Sequence, residues 1–302
     1  MTRPCLTVAL CLTAALGLGA PPVRAQMVET VGIRAQGMGG AFVAVANDAT
    51  ATWWNPAGVA AGPYFDAIGE YDRPRTPADT SVQAAAVAFP ALGLSYYRLP
   101  ISQMRAPNSA ATAPIDRQNE GYLNEFGATV GQSIGRHLVV SSTLKLVKAT
   151  DTHGDLDIGA LGTFGRIRLG VTVRNVTEPT LGDQPDPLTL KRQVRVGGAF
   201  MSSGGTMDRL VIAVDGDLTR VSTVVGDIRH LSGGAELWLW RRAVGIRGGV
   251  SAETVNDHVS GSGGLSVLLQ SSRYLRTYLE GQFTGGTDEV RRGWGTGLRV
   301  TF

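Results

Sequence analysis

From residue 64 to the end, the chain repeats short segments in which apolar and polar residues alternate. In "RLGVTVRN", Leu169, Val171 and Val173 fall on one side and Arg168, Gly170, Thr172 and Arg174 on the other. "LRTYLEGQF" sets Leu275, Thr277, Leu279 and Phe283 against Arg276, Tyr278, Glu280 and Gln282. "RLVIAVDGDL" sets Leu210, Ile212 and Val214 against Asp215 and Asp217. A period of two predicts strands with two unlike faces. Fourteen are predicted, over 64–71, 81–89, 92–99, 122–131, 137–148, 156–163, 167–175, 193–201, 209–218, 228–239, 243–251, 262–270, 274–283 and 294–302. Past the first 25 residues, no apolar run reaches the roughly 18 residues that a helical span needs.

Alternation alone fits a soluble sandwich as well as a membrane barrel, and three features favour the barrel. The polar faces carry long charges well inside the strands: Lys145, Asp157, Arg195, Glu236, Arg247, Glu280 and Arg299. The apolar faces are smooth, with Gly198, Gly248 and Ala160 among them. Lipid tails fill such gaps, whereas a packed core loses contacts there. The strand number is even, as in single-chain bacterial outer-membrane barrels.

Connection length is the third feature. Long "DRPRTPADT" is followed by short "PA", the stretch 100–121 by "SIGR", and "ATDTHGD" by "GRI". After the long stretch 176–192, "SSGGTMD" breaks the rule; "TRVSTVVGD" then precedes "WRR", and "ETVNDHVSG" precedes "SSR". The predicted fold class is therefore all-β: a transmembrane antiparallel β-barrel of about 14 strands, closed because an open edge leaves backbone groups unpaired in hydrocarbon. Counting back from the last strand puts the short turns and both chain ends on the periplasmic side.

The two ends refine this. The segment 1–25 has Arg3, an apolar stretch "LTVALCLTAALGLGA" and a small-residue site ending at Ala25, and reads as a signal peptide. Export to the outer membrane of a Gram-negative-type bacterium follows. Both cysteines, Cys5 and Cys11, lie in this leader, so no disulfide or thiol chemistry is expected beyond it. Losing Arg3 and Arg24 takes the basic residues from 28 to 26 against 25 acidic ones, which leaves no reason to expect a nucleic-acid partner. At the other end "GWGTGLRVTF" places Trp294, Thr296, Leu298, Val300 and Phe302 on one face. A final strand closing on Phe302 resembles the signal by which the barrel-assembly machinery receives outer-membrane proteins.

Between leader and barrel lies a segment of another kind, 26–63, containing "GIRAQGMGGAFVAVANDATATWWNPAG". As a nucleotide loop it fails: Phe42 stands where a third glycine is needed, and no Lys-Ser or Lys-Thr follows. "MGGAFVAVA" is apolar and uncharged, and it is helical only with support, since Gly39 and Gly40 each cost about 1 kcal/mol in a helix interior. Pro56 forces Asn55 extended, which predicts a rigid corner after Trp53 and Trp54. This segment is expected to be a short, partly helical plug inside the barrel.

The quoted block resembles the amino-terminal signature of the PorV/PorQ family, within the FadL-like outer-membrane barrels. That resemblance implies fourteen strands and a small hatch in the lumen, with Gly37, Gly39, Gly40, Asn55, Pro56, Ala57 and Gly58 as hatch residues. It also implies a non-enzymatic role in protein secretion and surface attachment of type IX kind, with secreted proteins or secretion-system subunits as partners. The alternative is FadL-like passive uptake of hydrophobic small molecules such as long-chain fatty acids. Uptake predicts a lumen pocket lined by Phe42, Val43, Val45, Trp53 and Trp54. The outer loops, polar and rich in Pro and Ala, lack a greasy surface for capturing lipid. Contact with outer-membrane lipid and lipopolysaccharide follows from either role.

No catalytic residue, cofactor or metal is predicted. His137, His153, His230 and His258 show no paired ligand spacing. His230 faces the lumen where Ser222, Asp227 or Asp217 can approach it. The pair Asp215 and Asp217 is expected to meet Arg195 rather than to act as an acid–base dyad. Tyr96, Trp238 and Trp240 near strand ends predict part of an interfacial aromatic girdle.

Overall fold

The computed structural model describes residues 31–74, 81–101, 121–182, 188–204, 207–223, 226–254, 259–287 and 292–302. The leader 1–25, His258 and most of the loop 100–121 lie outside them. Seven strands run through the first half: β1 (Asp66–Pro74), β2 (Val82–Phe89), β3 (Leu92–Pro100), β4 (Tyr122–Ile134), β5 (Leu138–Lys148), β6 (Thr152–Phe164) and β7 (Ile167–Arg174). Two short ones follow, β8 (Thr180–Leu181) and β9 (Leu188–Thr189), and then the long β10 (Gln193–Gly204) and β11 (Met207–Asp217). After a second short pair, β12 (Val221–Thr223) and β13 (Gly226–Ile228), come β14 (His230–Leu239), β15 (Val244–Glu253), β16 (Val259–Ser271), β17 (Arg276–Gly286) and β18 (Gly293–Thr301).

The fourteen long strands form one closed antiparallel barrel, each paired to its sequence neighbour and β1 to β18. Closure runs from Asp66 opposite Thr301 to Pro74 opposite Gly293. Beyond that ladder Phe65 and Phe302 exchange backbone hydrogen bonds of 3.1 and 3.0 Å. The Phe302 ring stacks on Phe65 at 5.4 Å and meets Tyr64 at 5.6 Å. The last residue thus seals the seam at the short-turn rim.

Burial separates barrel from sandwich. Leu144 and Phe283 on the outer face are 67% and 65% exposed, while Lys145 and Glu236 on the inner face are 2% and 0% exposed. Apolar-out and charged-in is the pattern of a lipid-facing wall. Each predicted strand is present with shifted ends. The exception at 202–208 disappears, because β10 and β11 extend to Gly204 and Met207 and leave two residues between them. The connection 149–155 also shortens, since β6 starts at Thr152. Alternation fades at both places, through Ser and Gly in one and His and Gly in the other. The pairs β8–β9 and β12–β13 are folded hairpins within the long connections, too short to show a period in sequence.

Inside the barrel sits the plug. Its helices are α1 (Ile33–Gly37), α2 (Ala51–Trp54) and α3 (Ala57–Ala61), a turn or so each. The apolar run between α1 and α2 is not helical but a series of turns: Gly39 and Gly40 take φ of 68° and 84°, conformations that a side chain disfavours. Asn55 is extended at φ −158° and ψ 105°, which makes the corner that separates α2 from α3.

The plug and its seat as the candidate functional site

The plug is held by charges that the barrel wall turns inward. Arg34, on α1, forms a two-pronged pair with Glu236 of β14: its Nε and Nη2 each donate at 2.6 Å, one to each carboxylate oxygen. Nη1 donates to Asn47 at 2.7 Å and Asp48 at 2.9 Å, and the guanidinium lies 5.0 Å from the Phe42 ring centre. Arg34, Glu236, Asp48 and Phe42 are buried and Asn47 is half-buried, and a buried guanidinium keeps its charge only when its N–H groups find acceptors. Burial opposes charging of Arg34, but the carboxylates of Glu236 and Asp48 outweigh it and hold its pKa above the ordinary value. Burial likewise opposes ionisation of Asp48, and Arg34, Arg299 and the Thr50 hydroxyl together hold its pKa below the ordinary value.

Three more wall carboxylates grip plug backbone. Asp215 of β11 accepts from the N–H groups of Phe42 and Val43 at 2.6 and 2.7 Å. Asp66 accepts from Ala49 at 2.9 Å while pairing with Arg299 at 2.7 Å. Glu70 accepts from Ile33 at 3.1 Å. A polar cluster of Gln36, Asp72 and Gln282 adds contacts of 2.6–3.2 Å. The plug's orphan N–H groups, which its short helices cannot satisfy internally, are thereby satisfied by the wall.

Wall glycines set the distance of approach. A side chain built on Gly170 would strike the Val43 backbone, one on Gly159 would strike Asn55, and ones on Gly234 or Gly249 would strike Met38. On the plug side, an added carbon at Gly37 would lie 3.2 Å from the Cα of Gly264, and at Gly39 only 2.7 Å from the Val250 nitrogen. Gly58 would meet Ala51 at 2.8 Å, within the plug itself. Gly40 serves through its backbone angle. Of the hatch residues expected from sequence, Asn55 does most: its amide donates to Val43 O at 3.0 Å and to wall Ala160 O at 3.1 Å, and its oxygen accepts from Ala57 N at 3.2 Å. Pro56 sets the start of α3.

The five residues expected around an open pocket are instead packed. Phe42, Val43, Val45, Trp53 and Trp54 are all 3% exposed or less. Phe42 meets Trp54 edge-on at 6.1 Å, and the Trp54 indole donates to Val31 O at 3.0 Å. Trp53 points outward from the plug, edge-on to Tyr97 at 5.0 Å and under the Arg174 guanidinium at 3.7 Å, and its N–H has no acceptor among the described residues. Around it the lumen-facing positions at the long-loop end turn apolar: Val82, Tyr97, Leu99, Leu123 and Val147 form one cluster with Leu181, Leu188 and Leu190. The last three come from the β8–β9 hairpin and its flank. The connection 176–192 therefore does carry apolar residues, directed inward, contrary to its polar reading. Beneath the cluster Lys145 pairs with Asp157 at 2.8 Å and Asp155 at 3.0 Å.

The other side chains fall as follows. Asp217 pairs with Arg195 at 2.7 Å as expected, and also accepts from His230 N at 3.1 Å. The His230 ring lies 3.7 Å from Glu253. Trp240 is exposed on the short-turn rim, but Trp238 faces inward against Tyr278 at 5.4 Å, so it does not belong to a girdle. Sequence reasoning passed over Arg34, although a lone cation in an apolar block with Asn47 and Asp48 following was a usable signal for a buried ion pair.

No family model and no curated protein matches the chain. Solved structures do. One is the "CymD monoaromatic hydrocarbon channel", 11% identical, with TM-score 0.57 over 90% of this chain and 97% of that one. A FadL homologue from Pseudomonas aeruginosa is 11% identical, with TM-score 0.58 over 92% and 99%. The toluene transporter TodX of Pseudomonas putida is 10% identical, with TM-score 0.57 over 93% and 98%. The chain shares the fold of these FadL-type outer-membrane barrels.

Proposed function

We propose that this chain is a non-enzymatic outer-membrane channel for hydrophobic small molecules, with the plug as its gate. The observation that carries the reading is the apolar cluster of Tyr97, Leu99, Leu123 and Val147 on the lumen face at the long-loop end. Much of the rest of that face carries charged, polar or small side chains, so an apolar patch of large side chains against the plug is the place where an apolar solute finds a dry surface once the plug moves. The names of two fold neighbours, a monoaromatic hydrocarbon channel and a toluene transporter, fit this class of solute. Passage requires the plug to shift, since its own side chains fill the space around Phe42 and Trp54.

The test is uptake of a labelled long-chain fatty acid and a labelled monoaromatic hydrocarbon into vesicles holding the full chain. The proposal expects protein-dependent uptake of at least one, cut about tenfold by Leu123→Lys, which puts a charge into the cluster. Uptake no faster than in empty vesicles would overturn it. A second reading, secretion partner, draws on the PorV/PorQ-like signature and on a plug too well packed to leave a pocket. It expects secreted proteins to be captured at the long-loop rim and no solute uptake.

A further inference from the structure

The short-turn rim holds a cavity of about 670 Å³ whose lining includes Arg241, Arg242, Arg273 and Arg276, and no acidic side chain. We infer that this cavity binds a phosphate group. Among the described residues Arg241, Arg273 and Arg276 have no carboxylate partner, so their charges are available to a ligand. Guanidinium groups present paired N–H donors that match phosphate oxygens. Tyr274, Tyr278 and Phe302 supply apolar walls beside the cations, which suits a phosphate carried on an apolar body.

The turn that carries two of the arginines is held in place. Trp240, Arg241 and Arg242 turn the chain with three successive positive φ values of 52°, 57° and 62°. Such a run is rare without glycine. Arg276 Nη1 donates to Arg241 O at 3.2 Å and the Tyr278 hydroxyl donates to Arg242 O at 3.1 Å, fixing the turn from β17, beyond the intervening β16. Arg273 lies 5.5 Å from the Tyr274 ring centre.

A second, separate observation points the same way. Among the described residues, Nε and Nη1 of Arg168 in the lumen wall are buried without a hydrogen-bond partner. Arg209 donates to the sulfur of Met201, at 3.7 Å. The like charges of Arg34, Arg242 and Arg168 bear on Arg209, and Glu236 opposes them. Arg242 thus links the rim cavity to a cluster of cations inside the barrel. Folding alone gains nothing from such a cluster, whereas an anion seated at the rim offsets it.

The phosphate has two possible sources, a membrane lipid headgroup or a soluble phosphorylated small molecule. Binding of fluorescent dioctanoyl phosphatidic acid and of glycerol 3-phosphate to the full chain in neutral detergent separates them. The full chain is expected to bind at least one probe at low ionic strength, with affinity falling as salt is added. The double variant Arg241→Gln, Arg273→Gln, checked for a folded barrel by its heat-dependent gel migration, is expected to lose at least tenfold. Competition by glycerol 3-phosphate would assign a soluble ligand, and binding of the lipid alone would assign a headgroup. Failure of both probes to bind, or equal binding by the double variant, would overturn the inference without touching solute uptake.

Discussion

A guanidinium buried in a barrel loses several kcal/mol of hydration unless other groups replace its hydrogen bonds. Arg34 replaces them with Glu236, Asp48 and Asn47, and so it joins the plug's two halves to β14 in one network. Arg34→Ala leaves Glu236 with Arg247, at 3.0 Å, as its remaining partner. The expected cost is about 3 kcal/mol of plug attachment, read as a lower urea midpoint for Trp53 and Trp54 fluorescence while the barrel stays folded. Asp48 adds a pH dependence with a definite sign. Its folded pKa lies below the ordinary value, so its contribution is complete above the unfolded value and fades as pH falls through the folded one. Asp48's share of plug attachment is expected to be constant from pH 7 to about 5 and to fade below about pH 4, measured as the difference in protease access to α1 between the full chain and Asp48→Asn. A difference that changed near neutral pH would contradict this.

At the scale of elements, the strands were written in the sequence and the seat of the plug was not. A period of two places Leu169 and Arg168 on opposite faces whatever lies nearby. Whether an inward glycine faces water, a partner strand or a plug depends on where 26–63 docks, and alternation is silent on that. Gly248 and Gly249 make the point in adjacent positions of β15. Both look alike in sequence, yet Gly248 faces outward with its nearest neighbour 4.0 Å from an added carbon, while Gly249 lies against Met38 and Gly39. Gly248→Val is expected to leave plug attachment unchanged. Gly249→Val is expected to expel the plug, doubling or more the rate at which protease cuts between α1 and α2. Asp215 was legible as an inward carboxylate, but its partners are backbone N–H groups of Phe42 and Val43, far away in sequence and with no side-chain signature. The inward apolar cluster was hidden for a similar reason: Leu181, Leu188 and Leu190 are scattered through a polar connection and meet only once β8 and β9 pair.

At the scale of the whole molecule, the barrel is closed by a continuous ladder, and the plug inside it is joined to the wall chiefly by side chains. The account's central claim is that solute passes only when this body moves. The chain has no cysteine beyond Cys11, so a lock can be introduced without rival thiols. Gly37 and Gly264 approach closely: an added carbon at either lies 3.2–3.3 Å from the other's Cα. Gly37→Cys with Gly264→Cys places two thiols within disulfide reach of one another. The most direct measurement is uptake of a labelled long-chain fatty acid by vesicles containing this variant, before and after oxidation. The account predicts uptake when reduced and a fall to the empty-vesicle rate when oxidised. Equal uptake in both states, with the disulfide shown to be formed, would contradict a moving plug.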